Sequence, residues 1–265
     1  MNIMLVPDYH LHGQFSKDST ALLSDYCYYA SKTGIREIAI TEHFTLYRED
    51  KNYSGFDYQA FIEEVERCRL LFKGKLVIKA GIEVDYHPYL EQEIRKEIAK
   101  WNQLDLVIGS VHYVGGKSTL KSKLKREEEK PFVEDYFLIM EQMIRSGIFD
   151  VIGHFDVFRR SLNEGFEIEP YLATVERMMY KAANKNIALE INTSGFKHGL
   201  NDLFPNGKIV EIFKNCGGIH ITIGSDAHHI EELAAMQEKG IAAAKLAGFL
   251  QISCFARRQP YLVTF

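Results

Sequence analysis

Residues 21–43 read ALLSDYCYYASKTGIREIAITEH, and the periodicity of this stretch decides the fold. From Ala21 to Lys32 apolar side chains recur at helical spacing. Gly34 follows, and glycine is favoured just past a helix because it adopts left-handed backbone without steric penalty. Glu37 to Thr41 is then a short apolar run with β-branched residues, which predicts a buried strand. His43, able to bind a proton or a metal, stands just beyond it.

The same unit repeats in both directions. Apolar runs occur at Met4 to Tyr9, Leu76 to Val84, Leu104 to Val111, Phe149 to Gly153, Ile187 to Asn192 and Ile219 to Ile223, making seven with Glu37 to Thr41. Between them lie helical patterns at Tyr58 to Phe72, Leu90 to Lys100, Val133 to Ser146, Pro170 to Lys185, Ile209 to Asn215 and Glu231 to Ala247. Gly147 and Gly217 close two of these as Gly34 closes the first. Alternating strands and helices predict an α/β fold, here a barrel. No stretch rich in Ser, Pro and Gly divides the chain, so residues 1–265 are expected to form one domain. Gly115 to Lys130, ending in KSTLKSKLKREEEK, is expected to be an exposed charged loop or a flap over the active site.

Composition narrows the function. With 46% hydrophobic and 26% charged residues, the chain reads as a soluble globular enzyme. A net charge of −4 provides no overall positive field for nucleic acid or an anionic membrane, so a small diffusible substrate is expected. Cys27, Cys68, Cys216 and Cys254 form no CxxC pair and read as reduced core thiols. No apolar stretch reaches the length of a membrane span, and a cytoplasmic location is expected. Oligomeric state is not legible.

The residues that follow each run carry the chemistry. They are His10 with His12, His43, Glu83, His112, His154 with Asp156, Asn192, and Asp226 with His228. In a βα barrel all strand C-termini open onto one face, so these side chains converge. A single histidine near a strand end is usually a packing residue, but a ligand-capable residue at every strand end reads as a metal site. His87, His220 and His229 lack that placement. Histidine and carboxylate without thiolate suit zinc, manganese or iron. Six histidines with Glu83, Asp226 and Asp18 exceed the needs of one ion, so two or three divalent ions are expected, with Glu83 and Asp226 as bridging carboxylates. Paired ions clamp phosphoryl groups, and hydrolysis is the expected reaction.

The ordered set His10-Leu-His12 with Asp18, Thr41-Glu-His43, Gly81-Ile-Glu83, Gly109-Ser-Val-His112, Gly153-His154-Phe-Asp156 and Gly224-Ser-Asp226-Ala-His228 resembles the polymerase and histidinol phosphatase (PHP) family across nearly the whole chain. The resemblance is greatest to its monofunctional histidinol-phosphate phosphatases. It implies a distorted (β/α)7 barrel with a trinuclear metal centre at the C-terminal ends of the strands. It implies one metal on His10, His12, Glu83 and Asp226, a second on Glu83, His112 and His154, and a third on His43, His228 and Asp18. Asp18 stands where many relatives have histidine; as a residue near a helix start it could instead be a cap. The resemblance also implies a basic grip on phosphate, for which Arg160 and His198 are the leading candidates and Arg159 and Lys197 the others. Asp226 or His228 is the expected proton donor to the leaving alcohol. The implied substrate is L-histidinol phosphate; the alternative is another small phosphomonoester or a nucleotide-derived phosphate. Two further readings are a non-catalytic metal-binding module and a divalent-metal amidohydrolase, which usually carries a lysine bridge where Glu83 stands. Asn192, Ser194 and Tyr113 are candidates to line the pocket for the organic group.

Overall fold

The computed structural model describes residues 6–163 and 165–264. Met4 and Leu5, where the first apolar run opens, lie outside the described residues. In chain order the elements are β1 (Asp8–Leu11), α1 (Leu23–Thr33), β2 (Glu37–Phe44), α2 (Tyr58–Leu71), β3 (Val77–Asp85), α3 (Glu91–Ile98) and β4 (Leu106–Ser110). They continue as β5 (Tyr113–Val114), β6 (Lys117–Ser118), α4 (Arg126–Ser146), β7 (Val151–Ile152), α5 (Leu172–Asn184), β8 (Ala188–Asn192) and α6 (Gly207–Asn215). The last are β9 (Ile221–Gly224), α7 (Gln237–Leu246), β10 (Gln251–Ala256) and β11 (Gln259–Thr264).

Seven parallel strands form one nearly closed sheet in the order β1-β2-β3-β4-β7-β8-β9, the seven-stranded barrel expected from the sequence. Both faces of each strand are covered, which explains the nearly continuous apolar runs. The seam between β1 and β9 holds a single bridge, Leu11 to Ala227, in which the His12 amide donates to the Ala227 carbonyl at 2.8 Å. The Asp8 carboxylate fastens it further, accepting from the Ser225 amide at 2.9 Å, the Ser225 hydroxyl at 2.6 Å and the Ala234 amide at 2.9 Å.

Alternation along the strands separates the two sides of the wall. Ile38, Ile40, Ile78, Ala80 and Ile82 join the large core beneath the helices. Tyr9, Ala39, Leu106, Ile108, Val151 and Ala188 form a second apolar cluster with Cys254 and Phe255 of β10. The β10–β11 hairpin thereby plugs the barrel at the end opposite the strand C-termini. It is anchored by the Phe255 amide donating to the Tyr9 hydroxyl at 2.8 Å and by Tyr261 donating to Glu37 at 2.9 Å. Beyond Ala247 the sequence carries no Asn-Gly or Asp-Gly signal, and this hairpin is a finding of the structure. Its turn is Arg257-Arg258, both at positive φ (48° and 64°), a conformation usually left to Gly or Asn. Asp105 accepts from the Arg257 amide at 3.1 Å and Asp150 from the Arg258 guanidinium at 2.8 Å, which holds the two arginines there.

Residues 115–130 correct the expectation of a single charged loop. Tyr113–Val114 and Lys117–Ser118 pair as a short hairpin, and α4 begins at Arg126 rather than Val133. Glu128 makes the early start favourable, because its carboxylate accepts from the Lys125 amide at 2.8 Å and pairs with Lys117 at 2.7 Å. No described helix is long and apolar enough to cross a membrane.

Candidate metal centre

The strand register brings the ligand-capable residues together. His43 on β2 lies beside Glu83 on β3, and Glu83 beside Ile108 on β4, so Glu83 stands mid-wall. His112 and His154 follow β4 and β7 by two residues each, while β1 and its extension supply His10 and His12 from the other side. Three donor sets result, each with nitrogens or oxygens within 4.8 Å of one another: His10, His12 and Glu83; Glu83, His112 and His154; and His12, His43 and His228. Asp226 joins the first through Oδ1, 3.4 Å from His12 Nε2 and 3.9 Å from His10 Nε2. Asp18 joins the third through Oδ2, 3.4 Å from both His43 Nε2 and His228 Nε2.

These separations suit a shared ion. Donors about 2.0–2.2 Å from one tetrahedral ion stand roughly 3.3–3.6 Å apart, whereas hydrogen bonds run about 2.7–3.2 Å. His10 Nε2 to Glu83 Oε1 is 3.5 Å, His12 Nε2 to Glu83 Oε2 is 3.6 Å and His112 Nε2 to Glu83 Oε1 is 3.4 Å. His10 Nε2, His12 Nε2 and Asp18 Oδ1 are buried without a hydrogen-bond partner. Orphaned buried polar atoms are costly unless something binds them. His154 Nε2 and His43 Nδ1, at 2.7 and 2.9 Å from Glu83, are instead at hydrogen-bond distance. The donor set fits divalent ions.

Charge reinforces the pattern. Burial alone would raise the pKa of Glu83 and Asp226, but His10 and the other surrounding imidazoles hold both carboxyls well below their usual range. Burial disfavours charge on His43 as well, yet Asp18 and Glu83 raise it to about 10. Burial, with His43 and His228 nearby, depresses His12 strongly. Anionic carboxylates thus face partly protonated imidazoles, and metal binding would displace protons.

A set of outer residues holds the ligands, and the sequence reading did not pick them out. Glu190 Oε1 lies 2.6 Å from His10 Nδ1 while its Oε2 accepts from the His154 amide at 2.7 Å, so one carboxylate orients two ligands. Its signal was a glutamate inside the apolar run Ile187 to Asn192, whose neighbours are all buried. A Cβ at Gly224 would collide with Glu190 Oε1 and His10 Cβ, which is why glycine precedes Ser225 and Asp226. Asp226 itself has φ 54°, a strained backbone that aims its carboxylate across the seam. Glu42 accepts from the Gly13 amide at 3.0 Å and from the Ser16 hydroxyl, while that hydroxyl accepts from the His43 amide at 2.9 Å. Ser110 donates to Glu83 at 2.6 Å.

Above the donors opens a cleft of about 370 Å³ that includes Lys51, Arg160, Lys197, His198, Asp226 and His228 among its walls. Arg160 and His198, the leading candidates for a phosphate grip, both line this cleft. Arg159, the adjacent alternative, is committed to Asp156 at 2.9 Å and Asp202 at 2.7 Å. Asp156 belongs to that pair and not to the metal donors. Lys197 binds the Asp226 carbonyl at 2.6 Å and Glu232 at 2.9 Å. Asn192 and Ser194 do not line the cleft; Asn192 donates to Glu190, and Ser194 donates to Asp226 at 3.2 Å. Burial, with Arg160 and Lys197 nearby, lowers His198 to about 4, so it stands neutral at pH 7.

The sequence matches the PHP domain family over residues 8–194. The chain belongs to the PHP domain family. A histidinol-phosphatase of Lactococcus lactis is 28% identical over 259 residues, covering 94% of each chain. A probable histidinol-phosphatase of Deinococcus radiodurans is 27% identical over 233 residues, covering 85% of this chain and 87% of that one. The crystal structure of the L. lactis histidinol phosphate phosphatase, complexed with zinc, L-histidinol and phosphate, superposes with a TM-score of 0.82 at 27% identity, covering 96% and 98% of the two chains. A putative histidinol phosphatase from Listeria monocytogenes, 19% identical, shares the fold with a TM-score of 0.76 over 88% of this chain and 99% of that one. The family match ends at Asn192-Thr-Ser194, whereas Asp226 and His228 come from the strand beyond it.

Proposed function

We propose that this PHP protein is a metal-dependent histidinol-phosphatase that hydrolyses L-histidinol phosphate to L-histidinol and phosphate in histidine biosynthesis. The observation that carries this reading is the convergence of three donor sets, two of them sharing Glu83, beneath a cleft flanked by Arg160 and His198. In this reading His10, His12, Glu83 and Asp226 hold one divalent ion, Glu83, His112 and His154 a second, and His43, His228 and Asp18 a third. Imidazole and carboxylate donors suit zinc, manganese or iron. When bound, such ions supply Lewis-acid charge at the phosphoryl oxygens and lower the pKa of coordinated water.

The chain's own residues do the rest. Arg160 reaches into the cleft with a fixed fork of donors suited to two phosphoryl oxygens, and it neutralises charge that builds there. His198, neutral at pH 7, presents one N–H to a third oxygen. Asp226 or His228 takes a proton from the attacking water and passes it to the departing alcohol; both line the cleft. Glu190 and Ser110 keep His10, His154 and Glu83 in place during turnover.

The test is phosphate release from L-histidinol phosphate and from a panel of other phosphomonoesters, using protein reconstituted with zinc or manganese. Strong preference for histidinol phosphate is expected. Good turnover of a different ester with little of this one would replace the substrate and keep the metal centre. Arg160→Gln is expected to lower kcat/KM about 10²-fold, comparable to losing a positioned oxyanion donor, with metal content unchanged by elemental analysis. Wild-type turnover in that variant would remove Arg160 from the reaction.

A further inference from the structure

A second cavity of about 170 Å³ opens off the metal cleft, sharing Asp18, His43, Lys51, His112, Leu120 and Lys121 with it. A phosphoester seated over the donors therefore has this recess beside it for its organic group. That space is small against the roughly 300–1,000 Å³ of pockets for drug-sized ligands, so it suits a compact group. Leu120 and Lys121, from the turn after β6, cover it from above the β4 side. Its distinctive chemistry comes instead from the loop after β2 and the end of β3, since Glu49, Asp50 and Asp85 line this cavity and not the cleft.

Asp50 is held rigidly. Its Oδ2 accepts from the Tyr113 hydroxyl at 2.9 Å, and its Oδ1 accepts from the Asn52 amide at 2.7 Å. Among the described residues, neither Glu49, Asp50 nor Asp85 forms an ion pair with a lysine or arginine. Two lysines stand in the same wall, but Lys51 is paired with Asp18, 2.7 Å from its Oδ2, and Lys121 is not within ion-pair distance of Asp50. Asp85 is met by the imidazoles of His87 at 2.8 Å and His112 at 3.6 Å, by the His112 amide at 3.1 Å and by the Thr45 hydroxyl at 3.3 Å. Tyr113 lines the same cavity and packs on Tyr47 with ring centroids 4.7 Å apart, and Tyr47 stacks on His87 at 4.3 Å. A fixed carboxylate with no lysine or arginine paired to it, beside aromatic faces, is suited to receive a cation.

We propose that Asp50 is a specificity-determining residue whose carboxylate receives a primary ammonium on the organic end of the phosphomonoester. The proposal rests on the phosphatase reading above and adds the charge of the group that the enzyme selects. Glu49 and Asp85 deepen the negative potential, and Tyr113 positions the Asp50 carboxylate. Neutral phosphomonoesters gain nothing from the pocket.

Asp50→Asn retains an oxygen for the Asn52 amide and is isosteric, which makes it the direct test. Steady-state kinetics are measured with L-histidinol phosphate and with 2-phenylethyl phosphate, whose tail is uncharged, along with inhibition by free L-histidinol. The expected result is a fall of about 10–100-fold in kcat/KM for the cationic ester, mostly in KM, from loss of a charge-assisted hydrogen bond. The L-histidinol inhibition constant rises in parallel, and the neutral ester stays within about twofold. Tyr113→Phe, which frees the carboxylate without removing it, is expected to give the same ester-selective loss at smaller size. Equal losses on both esters, or no loss on either, overturn the proposal and leave the phosphatase reading standing. Failure of the wild-type protein to release phosphate from either ester overturns both.

Discussion

Glu83→Gln is expected to lower kcat/KM by about 10³-fold or more and to strip metal from the purified protein in the same step. The side chain is 1% exposed, and its two oxygens face five histidines. Oε1 also accepts from Ser110. Glutamine keeps the volume but offers one oxygen instead of two and turns an amide N–H toward imidazole nitrogens. Two donor sets lose their common anion at once. Several kcal/mol of charge stabilisation at the transferred phosphoryl group then disappear, and each ~1.4 kcal/mol is a factor of ten. Thermal unfolding of the variant compared with metal-free wild-type protein separates loss of metal from loss of fold. Full activity with a full metal complement would remove Glu83 from the centre.

The opposite end of the barrel gives the second large effect, on stability rather than rate. Phe255 is 1% exposed in the plug with Tyr9, Leu106, Ile108, Val151 and Ala188. Truncating a buried phenylalanine costs about 3–5 kcal/mol, from lost transfer energy and the cavity left behind. In a chain of this size that is a fall of about 6–20 °C in the unfolding midpoint. Phe255→Ala is therefore expected to melt far earlier by circular dichroism while keeping its kcat at 20 °C, because no metal donor touches the plug. An unchanged midpoint would mean that the hairpin contributes little to barrel stability.

The candidate ligand set was legible because it follows from two local rules. Apolar runs locate the strands, and the residue just beyond each run lies on the shared face. His10, His12, His43, His112, His154, Asp226 and His228 follow that logic, Glu83 stands next to the last residue of its run, and the structure gathers them. Asp18 obeys neither rule; its place beside His43 and His228 was available only from the family resemblance. Glu190 escaped because it sits within a run, where an inward side chain is assumed to be packing. The choice between Arg159 and Arg160 could not be made locally, since it turns on Asp202, which is distant in sequence. The hairpin at Gln251–Thr264 was hidden for a similar reason. Its turn depends on Asp105 and Asp150, on the barrel wall, rather than on a glycine of its own. Asp50 belongs with these cases, because a loop aspartate gains its meaning only from Tyr113 and the cavity.

The seam fastened by Asp8 also governs when the enzyme comes into being. A nascent chain that has emerged only to Cys216 already carries Asp8, Glu83, His112 and His154, yet Asp8 has no Ser225 to grip and the centre lacks Asp226 and His228. Two donor sets, His10 with His12 and Glu83, and Glu83 with His112 and His154, are present in it, but the first lacks the added carboxylate of Asp226 and the third lacks His228. Joining the first strand to the last therefore needs residues from both ends of the chain, and the full set of donors cannot assemble before residues 225–228 have left the ribosome. A fragment that stops short of Asp226, however long, lacks both the seam contact and the third donor set.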